Sequence, residues 1–356
     1  MNAIGIVATG SYVPDRIVSN AEIASAAGVT ADWIELKTGI RERRRAAPGE
    51  ATSDLAAAAA THALEAAGVH ASEVDFILVA TSTPDHPQPA TASIVQHLLG
   101  ADAAAAVDVN AVCSGFVYAL AMAHGLLNTQ APDGYALVIG ADIYSRILDY
   151  TDRKTALLFG DGAGAVLVGP VPVGSGLVGT ALRGHGYAHD LIVVPAGGSR
   201  TPSSAETLEN GGHYFHMDGR GVREFVHAKL PGAIRDLLDS TGTAPGQVDH
   251  LIPHQANGAM LRDVVPELGL AAARLHLTVD RLANTGAASI PVTMDAAHRA
   301  GDLRSGECVL LAGFGGGMNV GLTLCRWSAK PVLSRTVESL SQRRFDRDLV
   351  EAVGAR

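Results

Sequence analysis

In the stretch VDVNAVCSGFVYALAMA, Val107 to Ala123, a single cysteine stands where a buried apolar run gives way to a helical one. A thiol at that place faces unpaired backbone N–H groups and the positive end of the helix dipole. Cys113 is therefore expected to titrate below the free value of about 8.5 and to serve as a nucleophile at neutral pH. Cys308 in ECVLLAG and Cys325 in VGLTLCRW read as strand interiors, where a thiol is a core residue. A cysteine nucleophile calls for a base or a donor. Of 14 histidines, His254 in LIPHQAN is singled out because it ends a strand-like run in the second half of the chain, opposite the strand that leads toward Cys113. The pairs His185/His189 and His213/His216 have spacings a metal could use, but no third ligand accompanies them and no metal site is expected. GDGAGA (Gly160 to Ala165) matches G-x-G-x-x-A, yet the apolar VLVGPV after it reads as strand, and a dinucleotide fingerprint must open a helix. GFGGGMNVG has the same defect, so both stretches are expected as tight turns beside the active site and no nicotinamide cofactor is expected.

The elements that must position these residues form short apolar runs, such as DFILVATST, YALVIGAD, GAVLVGPV and CVLLAGFG, alternating with alanine-rich helical stretches such as SDLAAAAATHALEAAG. Continuous apolar strands between helices indicate sheets covered on both faces, an α/β layered fold. The chain also repeats itself. GVHASEVDFILVATST at Gly68 to Thr83 aligns with GTAPGQVDHLIPHQAN at Gly242 to Asn257, an offset of 174 residues that also lays Asn110 on Asn284 and Cys113 on Ala287. Two copies of one unit are expected, residues 1–170 and 171–327, followed by an extension over 328–356 in which Leu333, Val337 and Leu340 recur at helical spacing. Only the first copy keeps the thiol.

Composition sets outer limits. The 356 residues are 47% hydrophobic and 4% aromatic, which suits an alanine- and glycine-rich α/β enzyme, and a formal net charge of -9 argues against nucleic acid or an anionic membrane as partner. Three cysteines without a C-x-x-C pair fit a reducing compartment. With no signal peptide legible and no apolar run reaching the ~18 residues of a membrane helix, a soluble cytoplasmic protein is expected.

Six motifs, in order along the chain, resemble the thiolase superfamily and within it β-ketoacyl-acyl-carrier-protein synthase III: WIELKTGIRERR (Trp33 to Arg44), VDVNAVCSGF, TDRKTALLFGDGAGA (Thr151 to Ala165), PHQAN, NTGAASIP and GFGGG (Gly313 to Gly317). The resemblance implies a thiolase-like five-layered αβαβα sandwich of two duplicated halves, usually a homodimer. It implies acylation of Cys113 by an acyl-CoA starter, an oxyanion hole from the backbone N–H groups of Cys113 and Gly316, and His254 and Asn284 as the donors that hold a malonyl thioester while it loses carbon dioxide. Acyl-CoA enters as a substrate, with no cofactor. Its adenine would lie between Trp33 and Arg153, with Lys37 at the phosphates and Asn257 orienting the active-site groups or serving as an ordinary structural amide. Phe314 and Gln88 would wall the acyl pocket, Gln88 across the dimer interface. Polar Gln88 among three prolines, where some relatives carry an apolar side chain, predicts a starter other than the usual short acetyl group.

The partner is less sharply drawn. An acidic acyl carrier protein would need a basic patch, but the helix after HQAN reads GAMLRDVVPELG, with Arg262 offset by Asp263 and Glu267; the run Arg41, Arg43, Arg44, Arg45 reads either as a substitute patch or as a solvated face. Two alternatives stand beside condensation: an acyltransferase that passes the acyl group from Cys113 to a hydroxyl or amine of a small molecule, with His254 as base, and a non-catalytic scaffold, against which the trio Cys113, His254 and Asn284 speaks.

Overall fold

A computed structural model describes residues 3–330 of the chain; the helical spacing of Leu333, Val337 and Leu340 lies outside the described residues. Ten strands make two five-stranded sheets. The first holds β1 (Ala3–Tyr12), β2 (Val74–Ala80), β3 (Ala105–Val109), β4 (Tyr135–Ile143) and β5 (Asp161–Val171), in the spatial order β1-β5-β4-β2-β3. The second holds β6 (Gly176–Gly184), β7 (His250–Pro253), β8 (Arg274–Leu275), β9 (Cys308–Gly315) and β10 (Asn319–Arg326), in the order β6-β10-β9-β7-β8. Order and direction agree between the sheets: the first three strands of each series are antiparallel neighbours and the last three parallel ones.

Helices cover both sheets and fill the space between them, giving five layers. On the outer face of the first sheet lie α2 (Thr52–Ala67) and α3 (Thr91–Leu99), preceded in the chain by α1 (Ala31–Thr38). Between the sheets run α4 (Gly115–Gln130) and, later in the chain, α7 (Ser289–Arg299). The outer face of the second sheet carries α5 (Gly219–Thr241) and α6 (Gly258–Val264). Small side chains bring α2 close to its sheet, and Ala56, Ala59, Ala60 and Ala63 are wholly buried there. The halves match in detail as well. Gly68 and Gly242 end α2 and α5 at φ 67° and 64°, a left-handed conformation that costs glycine nothing, and each is followed by a short 3-10 turn and then a strand, β2 or β7. Further on, the 3-10 turns Val112–Ser114 and Gly286–Ala288 lead into α4 and α7.

One stretch exceeds what the sequence predicted. Val112–Gln130 is helical over 19 residues and, by length and composition alone, apolar enough to cross a membrane. Its apolarity has a different cause: the helix has a sheet on either side, and Phe116, Val117, Ala119, Leu120, Ala123 and Leu127 are completely buried between them. Truncating Leu120 to Ala there should cost about 2–5 kcal/mol.

The arginine run is not a uniformly solvated face. Glu42–Arg45 pairs with Arg16–Ser19 in a small ribbon, and Arg43 is only 3% exposed. Its guanidinium donates to Asn20 Oδ1 at 2.8 Å and to the Leu157 carbonyl at 2.9 Å, and burial lowers its pKa to about 10. Arg41 bonds Asp280, and Arg45 lies 4.6 Å over the Tyr150 ring. These side chains are spent on holding the ribbon to the body of the protein.

Candidate active site

Cys113 occupies the turn Val112–Ser114 at the head of α4, between the two sheets. The turn is held by Asn110, whose Oδ1 accepts the Val112 N–H at 3.2 Å, and Val112 takes φ 47°, a left-handed conformation that a β-branched residue adopts only under constraint. The end of β9 passes so near that a Cβ on Gly315 would lie 2.7 Å from Cys113 N and 2.9 Å from its Cβ. Any side chain at that position would displace Cys113.

The dipole argument predicts a depressed thiol, and the structure corrects it. Cys113 is 5% exposed; burial pushes its thiol up, the Asp142 carboxylate adds to that push, and hydrogen bonding with Tyr144 opposes it. A helix N-terminus sealed between two sheets gives a thiolate almost no water, so desolvation outweighs the dipole. Cys308 and Cys325, in β9 and β10, are buried core thiols as expected.

His254 follows β7, its N–H bonded to the Ala312 carbonyl of β9 at 2.8 Å. Its Nδ1 stands 2.6 Å from Ser289 Oγ at the start of α7, and its ring meets Phe314 edge-on at 5.2 Å between centroids. Burial drives its pKa down to about 3, so the imidazole is neutral at any physiological pH. Asn284 is fixed by backbone bonds to the first half, from its N–H to the Leu158 carbonyl at 2.8 Å and from the Gly160 N–H to its own carbonyl at 3.0 Å. Its side-chain Oδ1 accepts the Gly286 N–H at 2.9 Å, so the amide nitrogen is the end left to donate.

These three residues meet. Cys113, His254 and Asn284 line one chamber of about 30 Å³, with Phe314 and Gly315 in its wall. Gly316 follows directly and packs against the Val112 side chain. The chamber adjoins a cleft of about 990 Å³ and shares Asn284, Phe215, Met217, Val222 and Ala256 with it. Trp33, Lys37, Arg153 and Asn257 all line that cleft. Trp33 and Lys37 come from α1, whose start is capped by Thr30 Oγ1 accepting the Trp33 N–H.

Gln88, expected to act across a dimer interface, is exposed and lines neither cavity of its own chain. Asn257 lies in the cleft wall, but its Oδ1 accepts the Ala259 and Met260 N–H groups as the cap of α6, which makes it a structural amide; Ser289 is the residue bonded to His254. The charges after HQAN also pair differently from the expected offset of Arg262. Asp263 bonds Arg223 of α5 at 2.7 Å and Glu267 meets His227 at 2.9 Å, while the Arg262 guanidinium lies over Gly39. Sequence reasoning passed over Ser289, Asp142, Tyr144 and Gly286. Ser289 had a signal, since the 174-residue offset places it on Gly115, the first residue of the helix behind Cys113.

A thiol at the junction of two like halves, each a five-stranded sheet with a helix turned inward, is the arrangement of the thiolase-like condensing enzymes. The models of 3-oxoacyl-[acyl-carrier-protein] synthase III match residues 107–186, and of its C-terminal part residues 238–327. Acetoacetyl CoA synthase NphT7 of Streptomyces sp. (strain CL190) is 56% identical, covering 90% of this chain and 98% of its own. The β-ketoacyl-[acyl-carrier-protein] synthase III of Symbiobacterium thermophilum is 42% identical over 91% and 98%. Among solved structures, 3-oxoacyl-(acyl carrier protein) synthase III from Pseudomonas aeruginosa PAO1 superposes with a TM-score of 0.84 at 36% identity, covering 93% of this chain and all of that one. The priming β-ketosynthase of the R1128 polyketide pathway does so at 0.85 and 31%, covering 92% and 98%. The chain belongs to the 3-oxoacyl-[acyl-carrier-protein] synthase III family. It is an acyltransferase of the ketosynthase kind, joining an acyl-CoA starter to a malonyl thioester; relatives named as synthases do not favour transfer to a hydroxyl or amine.

Proposed function

We propose that this ketosynthase condenses a short acyl-CoA with malonyl-CoA to give a β-ketoacyl-CoA, by two half-reactions at Cys113. The observation that carries the reading is the chamber itself: thiol, neutral imidazole and amide on one wall, opening into a cleft lined by Trp33, Lys37 and Arg153. In the first half-reaction Cys113 Sγ bonds to the thioester carbonyl carbon, the carbon–sulfur bond to CoA breaks, and the proton of the thiol leaves on CoA. The Cys113 and Gly316 N–H groups would hold the oxyanion of the tetrahedral intermediate. The indole and guanidinium at the cleft suit the faces of an adenine, and Lys37 suits its phosphates.

In the second half-reaction the malonyl carboxylate leaves as carbon dioxide and its electron pair passes into the thioester carbonyl. No base is needed; what is needed is a pair of neutral donors at the growing negative charge. His254 is kept neutral by burial, and a Ser289 hydroxyl donating to Nδ1 leaves the ring proton on Nε2. Asn284 supplies its amide nitrogen because its oxygen is already bonded to Gly286. The carbanion then bonds to the acyl carbonyl carbon, the carbon–sulfur bond to Cys113 breaks, and the sulfur regains its proton from water.

The chamber of about 30 Å³ is tight, so a short acyl chain asks less of its walls than the unusual starter predicted from Gln88. The acceptor reading, malonyl-CoA rather than a malonyl-carrier protein, draws on the pairing of Asp263 and Glu267 with Arg223 and His227, which offsets part of the positive charge on α5 and α6 that would draw an acidic protein. It also draws on the name of the 56% identical relative, an acetoacetyl CoA synthase. A homodimer through the edge strand β3, where Val107 is 43% exposed, would bring the exposed Gln88 loop toward the neighbouring copy. Three free cysteines fit a cytoplasmic setting. Initial rates with acetyl-CoA and either malonyl-CoA or malonyl-carrier protein, read as product by mass spectrometry, test the reading. Acetoacetyl-CoA as the main product supports it, and turnover with the carrier protein alone overturns the acceptor.

A further inference from the structure

His254 belongs to a hydrogen-bond circuit made wholly of residues from the second half. Its Nδ1 stands 2.6 Å from Ser289 Oγ, and Ser289 opens α7. The Ser289 carbonyl accepts the Thr293 hydroxyl at 2.8 Å, and Thr293 Oγ1 lies 2.7 Å from Thr278 Oγ1. The Thr278 N–H donates at 3.0 Å to Oε1 of Gln255, the residue that follows His254 in the chain. Gln255 is tied at its other end as well, where its Nε2 donates to the Pro253 carbonyl at 2.7 Å. All five side chains are buried: His254, Gln255, Thr278, Ser289 and Thr293.

Hydrogen counting fixes the direction of each bond. Thr293 spends its one hydroxyl hydrogen on the Ser289 carbonyl, which can only accept, so Thr278 donates to Thr293. Ser289 also has one hydrogen, and among the described residues its Oγ bonds only to His254 Nδ1. Were Nδ1 protonated, Ser289 would have to accept, and its own hydrogen would be buried without an acceptor. Ser289 therefore donates to Nδ1, and the ring proton sits on Nε2, the nitrogen left for the chamber that His254 lines. The first half holds the same place empty. The 174-residue offset sets His254 on Ala80 and Ser289 on Gly115, and a Cβ on Gly115 would lie 3.2 Å from Ala80 Cβ. Both halves thus share the backbone approach, and only the half without Cys113 fills it with a hydroxyl and an imidazole.

We propose that Ser289 is a positioning residue for condensation: its hydroxyl, on a helix start held by the Thr293, Thr278 and Gln255 bonds, keeps His254 in the Nε2–H tautomer, so that the ring offers the enolate oxygen a donor and not a lone pair. No proton changes hands in this role. The Nε2–H stays on the ring and lends a hydrogen bond where negative charge grows. The other donor, Asn284, stands on the turn that leads into α7, so the one short segment 284–289 sets both. This inference rests on the reading of His254 as a donor to the malonyl thioester given above, and loading of Cys113 does not draw on it.

The test reads the ring first and the two half-reactions second, on the full chain. With isotope-labelled histidine, and the His254 signals identified as those lost in His254→Gln, long-range proton–nitrogen NMR spectra of the wild type should show Nδ1 as the bare nitrogen. A proton on Nδ1 overturns the proposal, whether or not any variant folds. Ser289→Ala removes the donor and should move the Nδ1 signal, which a loss of packing alone would leave in place. The same variant should load Cys113 from acetyl-CoA within about threefold of wild type and release carbon dioxide from malonyl-CoA about tenfold more slowly, as loss of one hydrogen bond behind a donor should produce. Ser289→Thr, which keeps the hydroxyl, should recover most of that rate. Carbon dioxide release at the wild-type rate in folded Ser289→Ala also overturns the proposal. Failure of the function is a separate result: a protein that neither loads Cys113 nor decarboxylates malonyl-CoA contradicts the reading above, whereas the tautomer is read without turnover.

Discussion

The turns Val112–Ser114 and Gly286–Ala288 are the same device put to two uses. Each follows an asparagine whose Oδ1 accepts the N–H two residues on, Asn110 to Val112 and Asn284 to Gly286. Each has a positive φ at its first residue, 47° for Val112 and 59° for Gly286, and each leads into one of the two helices between the sheets. At the next position one turn carries Cys113 and the other Ala287, whose N–H donates to Asp142 at 2.7 Å. One asparagine is exposed and merely holds its turn, while the other is buried in the wall of the chamber. A shared backbone lock thus mounts the Cys113 thiol in one half. In the other it fixes the Asn284 amide so that its nitrogen is the end left to donate in the chamber.

Breaking the comparison at its sharpest point, Cys113→Ala should abolish acyl-enzyme formation completely, seen as no mass increase with any acyl-CoA. Asn284→Asp should load Cys113 at close to the wild-type rate but slow condensation by about 10²–10³, because one of the two donors at the enolate oxygen becomes a negative charge. Asn110→Asp, the same exchange in the partner turn, should leave both half-reactions within about threefold, since its side chain touches only the Val112 N–H. Gly286→Ala tests why the second turn begins with glycine when the first tolerates valine. Its new methyl would meet Asp142 and Tyr144 as well as the left-handed backbone, and a loss of about 3 kcal/mol is expected in denaturant melts.

The smallest effect is on acid stability. Burial holds His254 at about 3 and His276 at about 4, both below the value of about 6.5 for an unfolded chain. The unfolded state binds protons that the native state refuses, so stability should fall as pH drops through 6.5 and continue falling toward 4. His276→Gln, which keeps a polar partner for His250 Nδ1 now 3.0 Å away, should flatten part of that slope in melting temperature against pH; an unchanged slope would remove His276 from the account.

Much of this was legible in the chain because it is local or periodic. The 174-residue offset announced two like halves, and the strand-to-helix junction at Cys113 and the strand end at His254 were visible in the residues themselves. What was not legible depends on what packs around those residues. The helix N-terminus behind Cys113 promised a low thiol pKa, and only the second sheet closing over it reverses the direction. Arg43 sat in a run that read as surface charge, yet the ribbon it belongs to turns it inward onto Asn20 and Leu157. Asp142 and Tyr144 lie in YALVIGADIYS, which reads as one more apolar strand, because what sets them apart is the reach of each across to Ser82.

The central claim is that acylation and condensation share a chamber but lean on different residues. It is tested most directly by a single turnover: load the protein with acetyl-CoA, remove the excess, chase with malonyl-CoA, and follow the mass on Cys113 together with carbon dioxide release in wild type and Asn284→Asp. The account predicts that wild type sheds its acyl group with one carbon dioxide per acyl-cysteine, while Asn284→Asp loads normally and keeps its acyl group through the chase. Equal loss of loading and of release in Asn284→Asp would contradict it.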